Sequence, residues 1–269
     1  MIRDEWSRPD FHDHWTSMGR VYILYFHKIM IITMKNKFKT PTSMNCLLSE
    51  EIGLHLGDGS MNYYNNKGLF QLRGHINDDK DHYILRIKEI YKHVFNIDVS
   101  LREMPSSGVY GFQIWSNELV NYKHKILGLP LGKKVDFTIP KDIIENGGFA
   151  KSFLRGYFDT DGCLYLEKKN GKLYPRIEMA SISEKFFEEI RLILTNLGFK
   201  YSYYTENRKK YGWKELHKII IRGNNMTSKW FSEIKPANPK HLRKFKKLKE
   251  NGPARTLKSK GFVVSLLDI

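Results

Sequence analysis

The chain has 269 residues, 41% of them hydrophobic, enough for a real core and for one or two domains. Its 45 Lys and Arg against 29 Asp and Glu leave a net charge of +16, an excess that points to a polyanionic partner, most commonly nucleic acid. No apolar stretch is long enough to span a bilayer. Two cysteines, Cys46 and Cys163, exclude a disulfide framework and a zinc set, and suggest a reducing interior such as the cytoplasm.

Residues 1–43 read as an N-terminal extension. Its first 33 residues look foreign to the rest, and Met34-Lys35-Asn36-Lys37 makes an alternative start. His12-Asp13-His14 has no third ligand nearby and reads as a loop. An apolar run with a central glycine predicts a helix over 46–57, followed by a hairpin near 59–64 and 68–75 turned at Asn65-Asn66-Lys67-Gly68. Tyr83, Leu85, Ile87, Ile90, Tyr91 and Val94 recur with helical period and predict a helix from Asp78 to Phe95. A second hairpin is expected near 97–103 and 109–115, then a helix capped by Asn117 and running to Leu127. Residues 44–135 make a first repeat, and 136–147 a linker.

The same order returns in 148–250. A helix ends in Asp159-Thr160-Asp161-Gly162, and a hairpin near 163–168 and 173–181 turns at Asn170-Gly171, a type I′ signal. Ser183 caps a helix through Leu197, a hairpin near 199–206 and 214–222 follows, then a helix from Met226 to Ile234. Asn238-Pro239-Lys240 opens a basic helix through Lys249, and 251–269 is a tail.

The two helical runs carry the chemistry. Ser49-Glu50-Glu51-Ile52-Gly53-Leu54-His55-Leu56-Gly57-Asp58-Gly59 is a weaker copy of Ser152-Phe153-Leu154-Arg155-Gly156-Tyr157-Phe158-Asp159-Thr160-Asp161-Gly162. Gly53 and Gly156 sit mid-helix, where glycine costs ~1 kcal/mol against alanine; the expected gain is close approach of two helix backbones. Asp58 and Asp161 would then lie side by side at the helix ends. Two adjacent carboxylates repel unless a cation lies between them, so they read as a divalent metal site, helped by the carbonyls of Gly57 and Thr160. Gly59 and Gly162 are expected to leave the helices with φ > 0. Strand alternation places Ser60, Asn62, Tyr64, Gln71, Arg73 and His75 on one polar face of the first sheet. Tyr165, Glu167, Lys169, Arg176 and Glu178 share the matching face of the second. A solvated sheet has the same pattern; the paired aspartates favour a face that reads bases in a DNA groove. Lys37, Lys133, Lys134, Lys240, Arg243, Lys244, Lys246 and Lys247 would serve phosphates.

The two motifs resemble those of the LAGLIDADG homing endonucleases, over roughly residues 44–250. The second copy matches at Leu154, Gly156, Asp159, Asp161 and Gly162; in the first, Glu51 and Leu56 depart from the pattern while Asp58 is kept. The resemblance implies an α+β fold: two pseudo-twofold-related αββαββα repeats forming a saddle of two four-stranded antiparallel sheets, the motif helices at the interface. It implies a monomer that makes a double-strand break in a long, near-asymmetric DNA site. Mg2+ is held at Asp58 and Asp161, with Mn2+ as a substitute. By position, Lys134 (or Lys133) and Lys240 resemble the family's active-site lysines.

An intron RNA maturase and a non-cleaving DNA-binding protein are the alternatives on the same scaffold. Retention of both aspartates argues against the second. Asp159-Thr160-Asp161 also fits the Asp-x-Asp of a glycosyltransferase, but the first copy lacks the earlier Asp, which favours a structural role for Asp159. Nucleotide-binding glycine motifs are missing. Without a starting Cys or Ser, or a closing His-Asn pair, self-splicing is not expected.

Overall fold

The computed structural model describes residues 38–251. The extension with His12-Asp13-His14, Lys37 and the tail beyond 251 lie outside the described residues. Helix α1 (Cys46–Asp58) starts at Asn45, whose side chain accepts from the Leu48 amide at 3.0 Å. It runs directly into strand β1 (Gly59–Tyr64), and Asn65 and Asn66, both at positive φ, turn the chain into β2 (Lys67–His75). Two central residues at positive φ make the tight turn whose twist suits a hairpin. Helix α2 follows through Lys80–His82, Tyr83–Ile87 and Lys88–Phe95, its middle stretch wound as a π-turn. Then come β3 (Arg102–Met104), β4 (Val109–Trp115) and helix α3, running through Asn117–Asn121 and Tyr122–Ile126.

A short helix α4 (Lys141–Glu145) lies in the connector, and α5 (Gly147–Asp161) opens the second repeat. Its cap is Asn146, which accepts from the amides of Gly148 and Phe149. Strands β5 (Cys163–Lys169) and β6 (Lys172–Ser181) turn at Asn170-Gly171, again both at positive φ. Helix α6 (Glu184–Asn196), strands β7 (Ser202–Glu206) and β8 (Leu216–Arg222), and helices α7 (Asn224–Glu233) and α8 (Pro239–Asn251) complete the chain.

The two sheets have the same antiparallel order, β1-β2-β4-β3 and β5-β6-β8-β7, so the expected αββαββα duplication and saddle are present. One face of each sheet is buried. Met61, Phe70, Leu72 and Phe112 point inward in the first, and Leu164, Ile177, Met179, Ile219 and Ile221 in the second. Aromatic rings fill both cores: Tyr91 meets Phe112 at 4.8 Å between centroids, and Tyr157 meets Phe186 at 5.0 Å. Helices α1 and α5 lie against each other between the two halves.

Four local expectations are corrected. The cap of α3 is Ser116, whose hydroxyl accepts from Leu119; Asn117 instead faces the first hairpin, accepting from the Gly68 amide and donating to the Asn66 carbonyl. Strand β3 begins only at Arg102. Leu85 is 69% exposed and lies off the core face. Gly59 and Gly162 have φ of −78° and −86°, so the motif glycines are not there for a left-handed turn. They are there for space. A Cβ on Gly59 would come within 2.6 Å of the His55 carbonyl oxygen, and one on Gly162 within 2.6 Å of that of Phe158.

Candidate active site

The site is built by helix packing. An added Cβ on Gly53 would lie 2.8 Å from the Tyr157 amide, and one on Gly156 would lie 2.9 Å from that of Leu54. Each would also run into a backbone carbonyl of the other helix, Phe153 and Glu50 respectively. Gly57 makes a third contact, against the Thr160 side chain. With no side chain between them, the C-terminal ends of α1 and α5 converge, and each ends on its aspartate.

Asp161 is open to solvent and Asp58 half-buried, yet the protein crowds round both as in the wall of a cleft. Burial pushes the Asp58 carboxyl up to about 7. The charges of Asp161 and then Asp79 push the same way, and Lys240 and Lys134 oppose them. Burial also raises Asp161, against the pull of Lys134 and Lys240. Asp58 therefore senses Asp161, and both carboxyls sense the same two lysines.

Lys134 Nζ lies on the carbonyl end of α1, donating to Leu56 at 2.9 Å, to His55 at 3.3 Å and to Gly57. A cation there complements the negative end of the helix dipole. Burial lowers its pKa, and Asp161 and Asp58 oppose that. The Gly57 carbonyl, expected as a metal donor, thus accepts from an ammonium here. The Thr160 hydroxyl turns back to the carbonyls of Gly156 and Tyr157, which leaves its own carbonyl as the expected donor. Lys133 is exposed beside it.

Lys240 Nζ pairs with Asp79 Oδ1 at 2.8 Å. Asp79 is 4% exposed and also accepts from the His75 amide and from Asn238 Nδ2. Burial raises its pKa, but these hydrogen bonds and the Lys240 charge bring it below the ordinary carboxylate value. Asn238 Nδ2 further donates to the Asp159 carbonyl, and Asp159 Oδ2 accepts from the Ala237 amide. The structural role expected of Asp159 is thus to anchor the segment that carries Lys240. Sequence reading missed Asp79 and Asn238, because their partners are remote in the chain.

Two further buried charges support the helix pair. Glu50 takes Arg86 from the first half and Arg155 from the second, so one carboxylate bridges the interface. Glu51, one of the two departures from the motif, is fully buried against Lys123 and the Tyr91 hydroxyl.

The expected base-reading residues lie on the solvent face of the sheets. Ser60, Asn62, Tyr64 and His75 are exposed, and Gln71 and Arg73 are half-buried beside them. In the second half Tyr165 is exposed, while Glu167, Arg176 and Glu178 are half-buried. Lys169 closes β5. Arg243, Lys244, Lys246 and Lys247 are exposed along α8.

Among the described residues no group of three or more His, Cys, Asp or Glu could hold a metal ion. The donors present are two carboxylates and main-chain carbonyls, all hard oxygens. That set fits a divalent cation such as Mg2+, which commonly takes one or two protein carboxylates and completes its shell from phosphate and water.

Residues 148–235 match the family described as LAGLIDADG-like domain. The chain is similar in fold to I-DmoI in complex with DNA and Ca, at 14% identity and a TM-score of 0.51, over 75% of this chain and 97% of that one. Among curated proteins it is 25% identical over 187 residues to a glutamine–fructose-6-phosphate aminotransferase (isomerizing) of Methanocaldococcus jannaschii, covering 69% of this chain. It is 34% identical over 106 residues, 36% of this chain, to the ATP-dependent DNA helicase Hel308 of the same organism. It spans only 16% and 8% of these two proteins.

Proposed function

We propose that the chain is a site-specific endonuclease of the LAGLIDADG type, a reading supported by the match of residues 148–235 to a LAGLIDADG-like domain and by the duplicated saddle fold. It acts as a monomer on double-stranded DNA and hydrolyses one phosphodiester on each strand. The observation that carries this reading is the meeting of Asp58 and Asp161 at the ends of two glycine-packed helices, between Lys134 and Lys240.

Asp58 and Asp161 are the residues that would hold divalent metal, with the Thr160 carbonyl beside them. When bound, the metal supplies charge neutralisation at the scissile phosphate and an activated water. Lys134 and Lys240 would stabilise the charge that develops on the phosphoryl oxygens. In support, Lys134 is held on the carbonyl end of α1 and Lys240 by Asp79. Arg73 and Gln71 lie on β2, beside the strand that leaves α1, and can contact the duplex near the cut. The exposed sheet faces take the major groove on either side of the cut, as β-ribbons do.

The test is cleavage of a randomised duplex library with Mg2+, with Ca2+ as control. Wild-type protein should linearise a subset of targets. Asp58→Asn or Asp161→Asn should abolish double-strand cleavage while duplex binding survives. Undiminished cleavage by both variants would overturn the assignment.

A further inference from the structure

The pseudo-twofold lets the two DNA faces be compared row by row, counting outward from each motif aspartate. In the first sheet the row nearest the helix end holds Ser60, Gln71 and Gln113, and the next holds Asn62, Leu69 and Trp115. In the second sheet the matching rows are Cys163, Glu178 and Ile220, then Tyr165, Arg176 and Arg222. One row inward, Arg73 and Arg102 flank Gly111 in the first sheet, and Ala180 and Tyr204 flank Lys218 in the second.

The chemistry of the matching rows differs. The first sheet offers amides and apolar surface. Gln71 and Gln113 are directly opposed, and Asn62 is exposed one row out. Asn62, Tyr64, Leu69 and Gln71 share a shallow hollow of about 80 Å³, and Trp115 stands 54% exposed across the strand from Leu69. Asn and Gln pair bidentately with adenine N6 and N7, and apolar surface takes the thymine methyl. No carboxylate lies in either row.

The second sheet offers charge. Arg176 and Arg222 are directly opposed, an arrangement unfavourable for like charges that Glu178 offsets on the Arg176 side alone. Arg176 is held over the Tyr165 ring at 4.9 Å, and Arg222 donates to Ser202 at 2.9 Å, so both guanidiniums are oriented by neighbours on the same face. Glu178 sits 3.5 Å from Arg176 and 4.0 Å from Lys218. Arginine pairs bidentately with guanine O6 and N7, and a glutamate accepts from cytosine N4.

We infer that the target is asymmetric in composition: A·T-biased in the half-site under the first sheet and G·C-biased under the second, over the base pairs next to the cut. This rests on the reading of the chain as a duplex-binding endonuclease.

The test is selection by binding, not cleavage, of duplexes randomised on both sides of the centre, with Ca2+ present. Recovered sequences should divide into one A·T-rich and one G·C-rich flank. Arg176→Gln should lose about tenfold or more of the guanine preference at one position of the G·C flank. The A·T flank should be unchanged, which also shows that the variant is folded. Flanks of equal composition would overturn the inference, as would Arg176→Gln weakening every sequence equally, the mark of a phosphate contact. In either case duplex binding itself would stand. Failure to retain any duplex would overturn the function and the inference together.

Discussion

Asp58 shows how one residue can be a liability to the fold and an asset to the site. Its carboxyl titrates at about 7 in the folded chain against 3.8 as the ordinary value, because burial and then Asp161 oppose its charge. The folded state therefore binds the proton more tightly than the unfolded state. The resulting destabilisation is fully present above pH 7, shrinks as the pH falls through 7, and is gone below about 3.8. His82 and His241, each lowered to about 3 by burial, act in the opposite sense between 6.5 and 3, but they are common to wild type and variant and cancel in a difference. Asp58→Asn should thus stabilise the metal-free protein at pH 8 by roughly 1–2 kcal/mol once solvent screening is allowed for, a few degrees in Tm. The gain should be smaller at pH 5. Thermal melts of both proteins in chelator at the two pH values check this, and a difference independent of pH would show that the carboxylate is not under strain. Adding a divalent cation should raise Tm in the wild type more than in the variant.

At the level of elements, the α1–α5 contact is what brings the two halves into register. Gly53 and Gly156 face backbone of the opposite helix, so no rotamer change can relieve a new methyl there. Gly156→Ala should cost about 1–3 kcal/mol, although alanine is the better helix former. Calorimetry or chemical denaturation measures it, and a neutral or stabilising result would mean that the helices can separate without loss. This contact was legible in the sequence because glycine at helical positions has few other uses. The hairpin turns at Asn65-Asn66 and Asn170-Gly171 were legible from local turn chemistry, and the sheet faces from alternation. The reason for Gly59 and Gly162 was misread: crowding from the preceding turn and left-handed backbone select the same residue, and only coordinates separate them. Ser116 and Asn117 are both good caps one position apart, so propensity could not choose between them. Leu85 lies two residues from both Tyr83 and Ile87, which on helix geometry sets it on the side opposite their buried face, so including it in the period was the error. The clamp of Asp79, Asn238 and Lys240 was invisible because it joins the start of α2 to the start of α8, and no local pattern records a contact between halves.

Across the whole molecule the net charge of +16 is unevenly used. Lys123, fully buried, and Arg155, half-buried, are matched by Glu51 and Glu50, and Lys240 by Asp79, so they contribute little to the outer field. The face of α8 away from His241 and Leu248 carries Arg243, Lys244, Lys246 and Lys247 in exposed positions, with Arg243 3.7 Å from Asp81. Duplex affinity should therefore contain a large counterion-release component, falling by a thousandfold or so between about 50 and 200 mM salt if six or more phosphates are engaged. The contribution of α8 can be isolated by replacing Arg243, Lys244, Lys246 and Lys247 with Gln. Every phosphate that the variant no longer neutralises should reduce the slope of log K against log salt by about one, with no change in which sequences are preferred. Substitutions at Gln71 or Arg176 should do the reverse, altering preference while leaving the slope nearly intact. Fluorescence anisotropy on one preferred and one scrambled duplex, across a salt series, separates the two behaviours. A slope unaffected by the fourfold α8 variant would place this helix away from the DNA and leave the sheets and the helix ends to carry the electrostatic attraction.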